Sequence, residues 1–443
     1  MYKRFRGSLP LNRIFVPCVV LSAAGLALPM AFPTAPAHAA MQAPFDGQIA
    51  EFYRSRGGAP LWLSPRSGPA AQQLLQLLAT SQADHLNPRR YNLGGISRAL
   101  AAARGGDPAA VQRAEAMLSQ AFVAYAQDMR HDPGVGIIYV DQELRPTPPS
   151  AMQLLTAAER APSLSEYVQQ MGWMNPIYAK LRQAIASRLY ANGAQYRLLS
   201  LNLERARALP AGNGKFVIVN PPAARLYMYE NGHVVDSMRV VAGRTDPVAQ
   251  TPMMNAFVRY VALNPYWNSP PDITSRKLAP TILKEGRAYF TKRGYDLVDH
   301  FGPDAHVLNP MSVDWHAVAA GRVKVNLRQR PGPANSMGKM KFMFPNSEGI
   351  WLHDTPEKEK IEDAGRLESN GCVRLEDAAR FARWLFNGRP PSPKGARPEQ
   401  KVDLPTPVPL YITYLTAVPS GTSIVYFDDF YGKDRAQARF AGL

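Results

Sequence analysis

Apolar residues recur at helical spacing through the first half of the chain and alternate with polar ones through the second; the change falls near residue 214. Ala70 to Ala79 (AAQQLLQLLA), Pro108 to Asp128 and Tyr178 to Tyr190 each carry an apolar stripe at helical spacing. Asp107-Pro108 supplies an N-cap followed by proline at the first helical position. Phe52-Tyr53 and Pro60-Leu61-Trp62 are the aromatic segments expected to pack on these helices. From Lys215 the runs FVIVN and RLYMYENGHVVDSMRVVAG alternate about Asn231-Gly232, which signals a hairpin. Further strands are predicted at Phe257 to Leu263, Gly349 to His353, Val408 to Thr416 and Thr422 to Phe427. Between them, residues 264–340 are rich in Pro and Gly, with a helix expected near Thr274 to Lys284 and an aromatic Val313 to Trp315 segment.

The pattern therefore gives an α+β protein. A helical region over 40–213 precedes a β-rich domain over 214–435, broken by an insertion over 264–340 and followed by a short tail, 436–443. A length of 443 residues agrees with two domains, and 40 prolines favour long ordered loops over continuous helix. Long ordered excursions of this kind more often serve function than not, so the insertion is expected to be a lid.

Net charge is +16, and it stays strongly positive without the first 39 residues, which hold Lys3, Arg4, Arg6 and Arg13 but no acid. Such a surface suits an anionic polymer or a membrane face, or serves only solubility. Nucleic acid is disfavoured, since no zinc-finger spacing, RNA-binding signature or basic helical arm is present. The N-terminal bases precede an apolar run from Ile14 to Phe32 and a small-x-small site at Ala37-His38-Ala39, so 1–39 reads as a cleaved secretory signal. No later stretch offers the ~20 apolar residues of a spanning helix.

Cleavage there would remove Cys18 and leave Cys372 as the one thiol. A single cysteine in an oxidising compartment has no internal disulfide partner, so it is either inert, intermolecular or reactive. The segment PGPANSMG at Pro331 to Gly338 lacks the Gly-Lys-Ser/Thr ending of a phosphate loop. Histidines 85, 131, 233, 300, 306 and 316 show no ligand spacing, so neither a metal nor another cofactor is expected.

The chemistry concentrates in Trp351 to Arg374, WLHDTPEKEKIEDAGRLESNGCVR. His353 ends an apolar strand-like run, and after fifteen intervening residues comes Ser369-Asn370-Gly371-Cys372-Val373-Arg374. A thiol nucleophile, an imidazole base and tight-turn backbone amides are what acyl transfer from an amide requires. A predicted helix over Leu375 to Phe386 would place its N-terminus beside Cys372 and, with a nearby imidazolium, favour the thiolate.

This segment resembles the active-site signature of the L,D-transpeptidases, the YkuD-type family, and the whole chain resembles their long, YcbB-like branch. The resemblance implies a helical scaffold upstream, a capping subdomain over 264–340, and a periplasmic enzyme acting on peptidoglycan stem peptides. Cys372 matches the nucleophile that attacks the diaminopimelate–D-Ala bond. His353 matches the general base, oriented in that family by a backbone carbonyl. Gly371, with Cys372, matches the oxyanion-hole backbone, and Ser369, Asn370, Arg374 and Trp351 match or adjoin the substrate-facing positions. The resemblance also implies 3-3 cross-linking, acylation by carbapenems, and a D,D-carboxypeptidase supplying tetrapeptides. Two departures stand out: Asn370 replaces the second histidine usual in the wider family, and the peptidoglycan-binding repeat module of many long members has no room here. An L,D-carboxypeptidase using the same residues, or a non-catalytic wall protein, are the other readings that the sequence leaves open.

Overall fold

The computed structural model describes residues 46–212, 214–363 and 365–438. The signal-peptide expectation over 1–39 lies outside them. Eight helices form the first region: α1 (Asp46–Ser55), α2 (Ala70–Ala79), α3 (Leu93–Ala103), α4 (Pro108–Met129), α5 (Ala151–Arg160), α6 (Leu164–Gln169), α7 (Pro176–Ala186) and α8 (Gly193–Arg207). Asp107 caps α4 by accepting from Ala110 N, with Pro108 at the first turn.

One buried carboxylate ties the aromatic segments to α4. Glu115 accepts from Tyr53 Oη at 2.7 Å and from the amides of Leu61, Trp62 and Leu63 at 2.8, 3.1 and 2.6 Å. Four donors are what lets the carboxylate stay inside. Glu115→Ala leaves buried amides unpaired, and urea unfolding should show a loss of about 3 kcal/mol or more. A loss below about 1 kcal/mol would mean that water replaces the carboxylate at no cost.

The strands begin with β1 (Ile138–Tyr139), then β2 (Lys215–Asn220), β3 (Arg225–Glu230), β4 (His233–Gly243) and β5 (Met254–Leu263). The insertion holds β6 (Trp267–Asn268), β7 (Tyr295–Val298), β8 (Val307–Leu308) and β9 (Asn326–Gln329). After it come β10 (Met340–Met343), β11 (Leu352–His353), β12 (Leu367–Ser369), β13 (Val373–Leu375), β14 (Gln400–Ile412), β15 (Ala417–Ser420) and β16 (Ser423–Tyr426). The main sheet runs β5-β10-β11-β13-β4-β3-β2-β14, and β14 pairs again with β5, so these strands close on themselves.

Alternation along β2 explains its uninterrupted apolar sequence. Val217 and Val219 point into the sheet's interior, with Leu226, Phe342, Leu352 and Val373. Phe216 and Ile218 point outward into the core of the helical region. Helix α8 reinforces this contact: Asn202 exchanges hydrogen bonds with Thr416, and Arg205 donates to Tyr414 O at 2.8 Å.

The insertion leaves at Leu263 and returns at Met340, which are cross-strand partners in the β5–β10 ladder. It is a folded body with its own four-stranded sheet, ordered β6-β9-β7-β8. Ile282, Tyr289, Phe290, Tyr295, Leu297, Trp315, Val318 and Leu327 form its separate core. Its main helical run, Pro271–Glu285, is wider than the predicted helix and contains a π-helical stretch, Thr274–Leu278.

Three local expectations are corrected. The run ending at His353 contributes only two residues to a strand, because Gly349 takes φ +65° and turns the chain. The helix after Cys372 begins at Ala378, since β13 intervenes and takes Val373 to Leu375 into the sheet. The tail does not begin at 436: helix Lys433–Ala438 runs through it, and Gln437 Oε1 accepts from Arg205 Nε at 2.8 Å. Among the described residues no helix is long and apolar enough to cross a membrane.

Candidate active site

Three adjacent strands carry the site. β11 pairs with β13 in parallel, placing Leu352 beside Val373 and His353 beside Arg374. On its other side β11 pairs with β10, placing Phe342 beside Leu352 and Lys341 beside His353. Leu352, Val373 and Phe342 face the interior core. Side chains alternate, so Lys341, His353 and Arg374 share the opposite face, with Trp351 and Cys372 one step behind.

The loop from Ser369 to Cys372 is held from several directions. Ser369 Oγ donates to Cys372 O at 2.5 Å and accepts from Gly371 N at 3.1 Å. Thr251 Oγ1 donates to Gly371 O at 2.9 Å and accepts from Gly243 N at the same distance. Gly371 has φ +103°, and a Cβ there would lie 2.9 Å from Ile350 Cδ1 and 3.3 Å from Gln250 O. Only glycine fits both the angle and the space. Gly371→Ala should lower the melting temperature by several degrees, through the strain at this φ, and slow acylation of Cys372 about 100-fold, by displacing the sulfur. Comparing melting curves with single-turnover rates checks this, and unchanged acylation would refute it.

His353 is buried, with 3% of its surface exposed, and its Nδ1 lies 2.5 Å from the Asp354 carbonyl oxygen. A carbonyl only accepts, so Nδ1 carries the hydrogen and Nε2 is left with its lone pair. The Asp354 carboxylate is turned away, accepting from Lys339 N at 3.0 Å and from Lys358 Nζ at 2.8 Å. Burial pulls the His353 pKa down to about 3, and Arg374 beside it adds to the effect, as does Lys341. The ring is therefore neutral at pH 7.

Cys372 is partly exposed, its thiol 3.6 Å from Gly349 O. Desolvation raises its pKa; the Trp351 backbone N–H, Lys341 and Arg374 oppose that rise without cancelling it. The resting pair is thus thiol and neutral imidazole, which corrects the expected thiolate beside an imidazolium. The helix dipole expected to help is absent from this position, for the reason given above.

Residues 214–402 match the L,D-transpeptidase catalytic domain, YkuD, and residues 47–185 match the family described as Scaffold domain. A Haemophilus influenzae protein named "Putative L,D-transpeptidase" is 28% identical over 403 residues, covering 88% of this chain and 79% of the relative. The chain carries an L,D-transpeptidase catalytic domain. Its scaffold-plus-YkuD architecture is that of the YcbB-like branch, and the α+β class stands.

The remaining sequence candidates lie on and around the Ser369–Cys372 loop. Arg374 is not free for substrate: its Nη1 is bonded to Glu357 Oε2 at 2.5 Å. Ser369 is buried, and its hydroxyl is spent on the Gly371 amide and the Cys372 carbonyl, so it braces the turn at Cys372. The Gly371 amide is likewise taken by Ser369, whereas the Cys372 amide has no hydrogen-bond partner among the described residues. The free donor is one residue later than Gly371. Trp351 packs at a tilt of 57° against Phe344, with ring centroids 6.0 Å apart, and carries Lys341 Nζ 5.2 Å from its ring centre. Asn370 is half-buried, and its Oδ1 has no partner.

Lys341 and Thr251 were missed from the sequence. Neither lies near the motif in the chain, and only strand register and the 244–251 loop bring them to it. A cavity of about 1270 Å³ lies between the returning end of the insertion and helix Ala378–Leu385, lined by Pro331, Gly338, Asp354 and Lys358 among others. Neither Cys372 nor His353 lines it, so it stands beside the chemistry and not at it. Among the described residues no group of three or more His, Cys, Asp or Glu side chains could hold a metal.

Proposed function

We propose that this protein is an exported murein L,D-transpeptidase forming 3-3 cross-links in the periplasm. The observation that carries the reading is a single thiol on a glycine-dependent turn, on the same sheet face as a buried imidazole whose Nε2 is free. The L,D-transpeptidase catalytic domain supports the substrate class, and the N-terminal signal pattern supports the location.

The chemistry follows from the groups present. As the Cys372 sulfur attacks the diaminopimelate carbonyl carbon of a stem tetrapeptide, His353 Nε2 accepts the thiol proton. The Cys372 amide donates to the developing oxyanion. The imidazolium then returns its proton to the D-Ala nitrogen, the C–N bond breaks, and D-Ala leaves a thioester behind. An acceptor amine attacks that thioester, gives a proton to Nε2 and expels the sulfur, which recovers its proton. Because Lys341 and Arg374 disfavour the imidazolium, its charge is transient, and proton transfer is coupled to attack.

The test is incubation of the purified chain with tetrapeptide muropeptides, products read by mass spectrometry. The expected product is a cross-linked dimer one D-Ala lighter than its two donors. Tripeptide alone would convert the reading to an L,D-carboxypeptidase, with water as acceptor. No change in the muropeptides would leave a non-catalytic wall-associated role.

A further inference from the structure

The residues beside the nucleophile's turn leave two buried polar atoms unpaired. Arg244 follows β4, and its amide donates to Ser369 O at 3.0 Å, so its backbone runs against the turn that ends in Cys372. Its Nη1 is buried and has no hydrogen-bond partner, and across this contact Asn370 Oδ1 is in the same state. A buried guanidinium donor left unpaired costs more than a neutral one, so the fold retains it only against a gain made elsewhere.

The charges around it are unbalanced. Glu357 pairs with Arg374 and with Lys360, and Lys360 also reaches Glu368 at 3.3 Å. Neither Arg244 nor Lys277, from the π-helical stretch of the insertion, forms an ion pair among the described residues. Lys277 lies close enough to Arg244, Lys360 and Arg374 for their charges, after partial desolvation, to lower its pKa. Four cations thus face two carboxylates, and the two cations without an acid come from different elements: the 244–251 loop and the insertion.

We infer that Arg244 and Lys277 form a carboxylate subsite, with Asn370 Oδ1 accepting an N–H that travels with that carboxylate. This deepens the stem-peptide reading and rests on it. The two residues joined by the scissile bond each present a carboxylate next to an N–H donor: the terminal D-Ala and the free centre of diaminopimelate. Either would neutralise the cluster and bind the insertion to the catalytic loop through the substrate. A terminal carboxylate bound here would also explain selection of a stem with one residue beyond the scissile bond.

The experiment is isothermal titration of the full chain carrying Cys372→Ala, which cannot turn substrate over. Its ligands are three synthetic stem tetrapeptides: the free acid, the C-terminal amide and the diaminopimelate amide. One amidation should weaken binding about tenfold or more, identifying the carboxylate. Arg244→Gln and Lys277→Gln should each abolish that difference, and Arg244→Lys should restore part of it. Equal binding of all three peptides, or no binding of any, would overturn the subsite. So would variants that keep the full preference, or that weaken all three peptides in proportion. Turnover by the wild type is read separately: a wild type that binds with this preference but yields no product overturns the proposed activity and leaves the subsite standing.

Discussion

Replacing Cys372 by alanine should abolish both the covalent adduct with a carbapenem and the cross-linked dimer, a loss of at least about 10⁴-fold. The reason is that Cys372 is the single cysteine among the described residues, so no neighbouring thiol can substitute. Intact-mass spectrometry after carbapenem treatment reads the adduct directly. A carbapenem adduct on the alanine variant, or none on an active wild type, would sink the acyl-enzyme.

The same thiol has a predictable pH dependence. Its pKa is raised by desolvation, and the imidazole beside it is already neutral above about pH 3. Alkylation by iodoacetamide should therefore climb about tenfold per pH unit between roughly pH 6 and 9, without a plateau. A plateau beginning near pH 5 would mean a resting thiolate–imidazolium pair, and the neutral-pair description would fall.

His353→Gln should lower the acylation rate about 10²–10⁴-fold while leaving stem-peptide binding nearly unchanged. Glutamine keeps a polar side chain near the Asp354 carbonyl but offers no basic nitrogen to the thiol. Equal losses in binding and rate would instead assign His353 a structural role. The variant also has a stability signature. The folded pKa of about 3 lies below the unfolded value near 6.5, so between them the unfolded chain binds a proton that the folded chain does not. Stability conferred by the neutral ring is complete above about pH 6.5 and is lost as pH falls toward 3. His353→Gln should remove this slope, up to about 1.4 kcal/mol per pH unit, from urea unfolding measured across that window.

Much of this architecture was written locally. Ala70–Ala79 is a helix over the span its stripe predicts, and α4 starts at the Asp107-Pro108 signal. The Asn231-Gly232 hairpin joins β3 to β4, with both residues at positive φ. These features were legible because helix caps, apolar periods and tight turns depend on neighbours within a few residues. Where only a few residues enter a strand, as at Leu352–His353, local pattern overstates the element, because partner strands set its length.

The division is sharper at the site. The sequence by itself determined the chemistry available: a thiol at Cys372, a histidine separated by fifteen residues from the Ser-x-Gly-Cys-x-Arg run, and a glycine at the turn. Covalent identity and short spacing carry that information. Only the tertiary structure decided how those groups are used. Burial, with strand register setting His353 between Lys341 and Arg374, made the ring neutral; Glu357 took Arg374; and the 244–251 loop delivered Thr251 and Arg244 to the turn at Cys372. Coulombic and desolvation effects depend on distance through space: strand pairing brings Lys341 and Arg374 to His353, and loop packing brings Thr251 to Gly371 from 120 positions away in the chain.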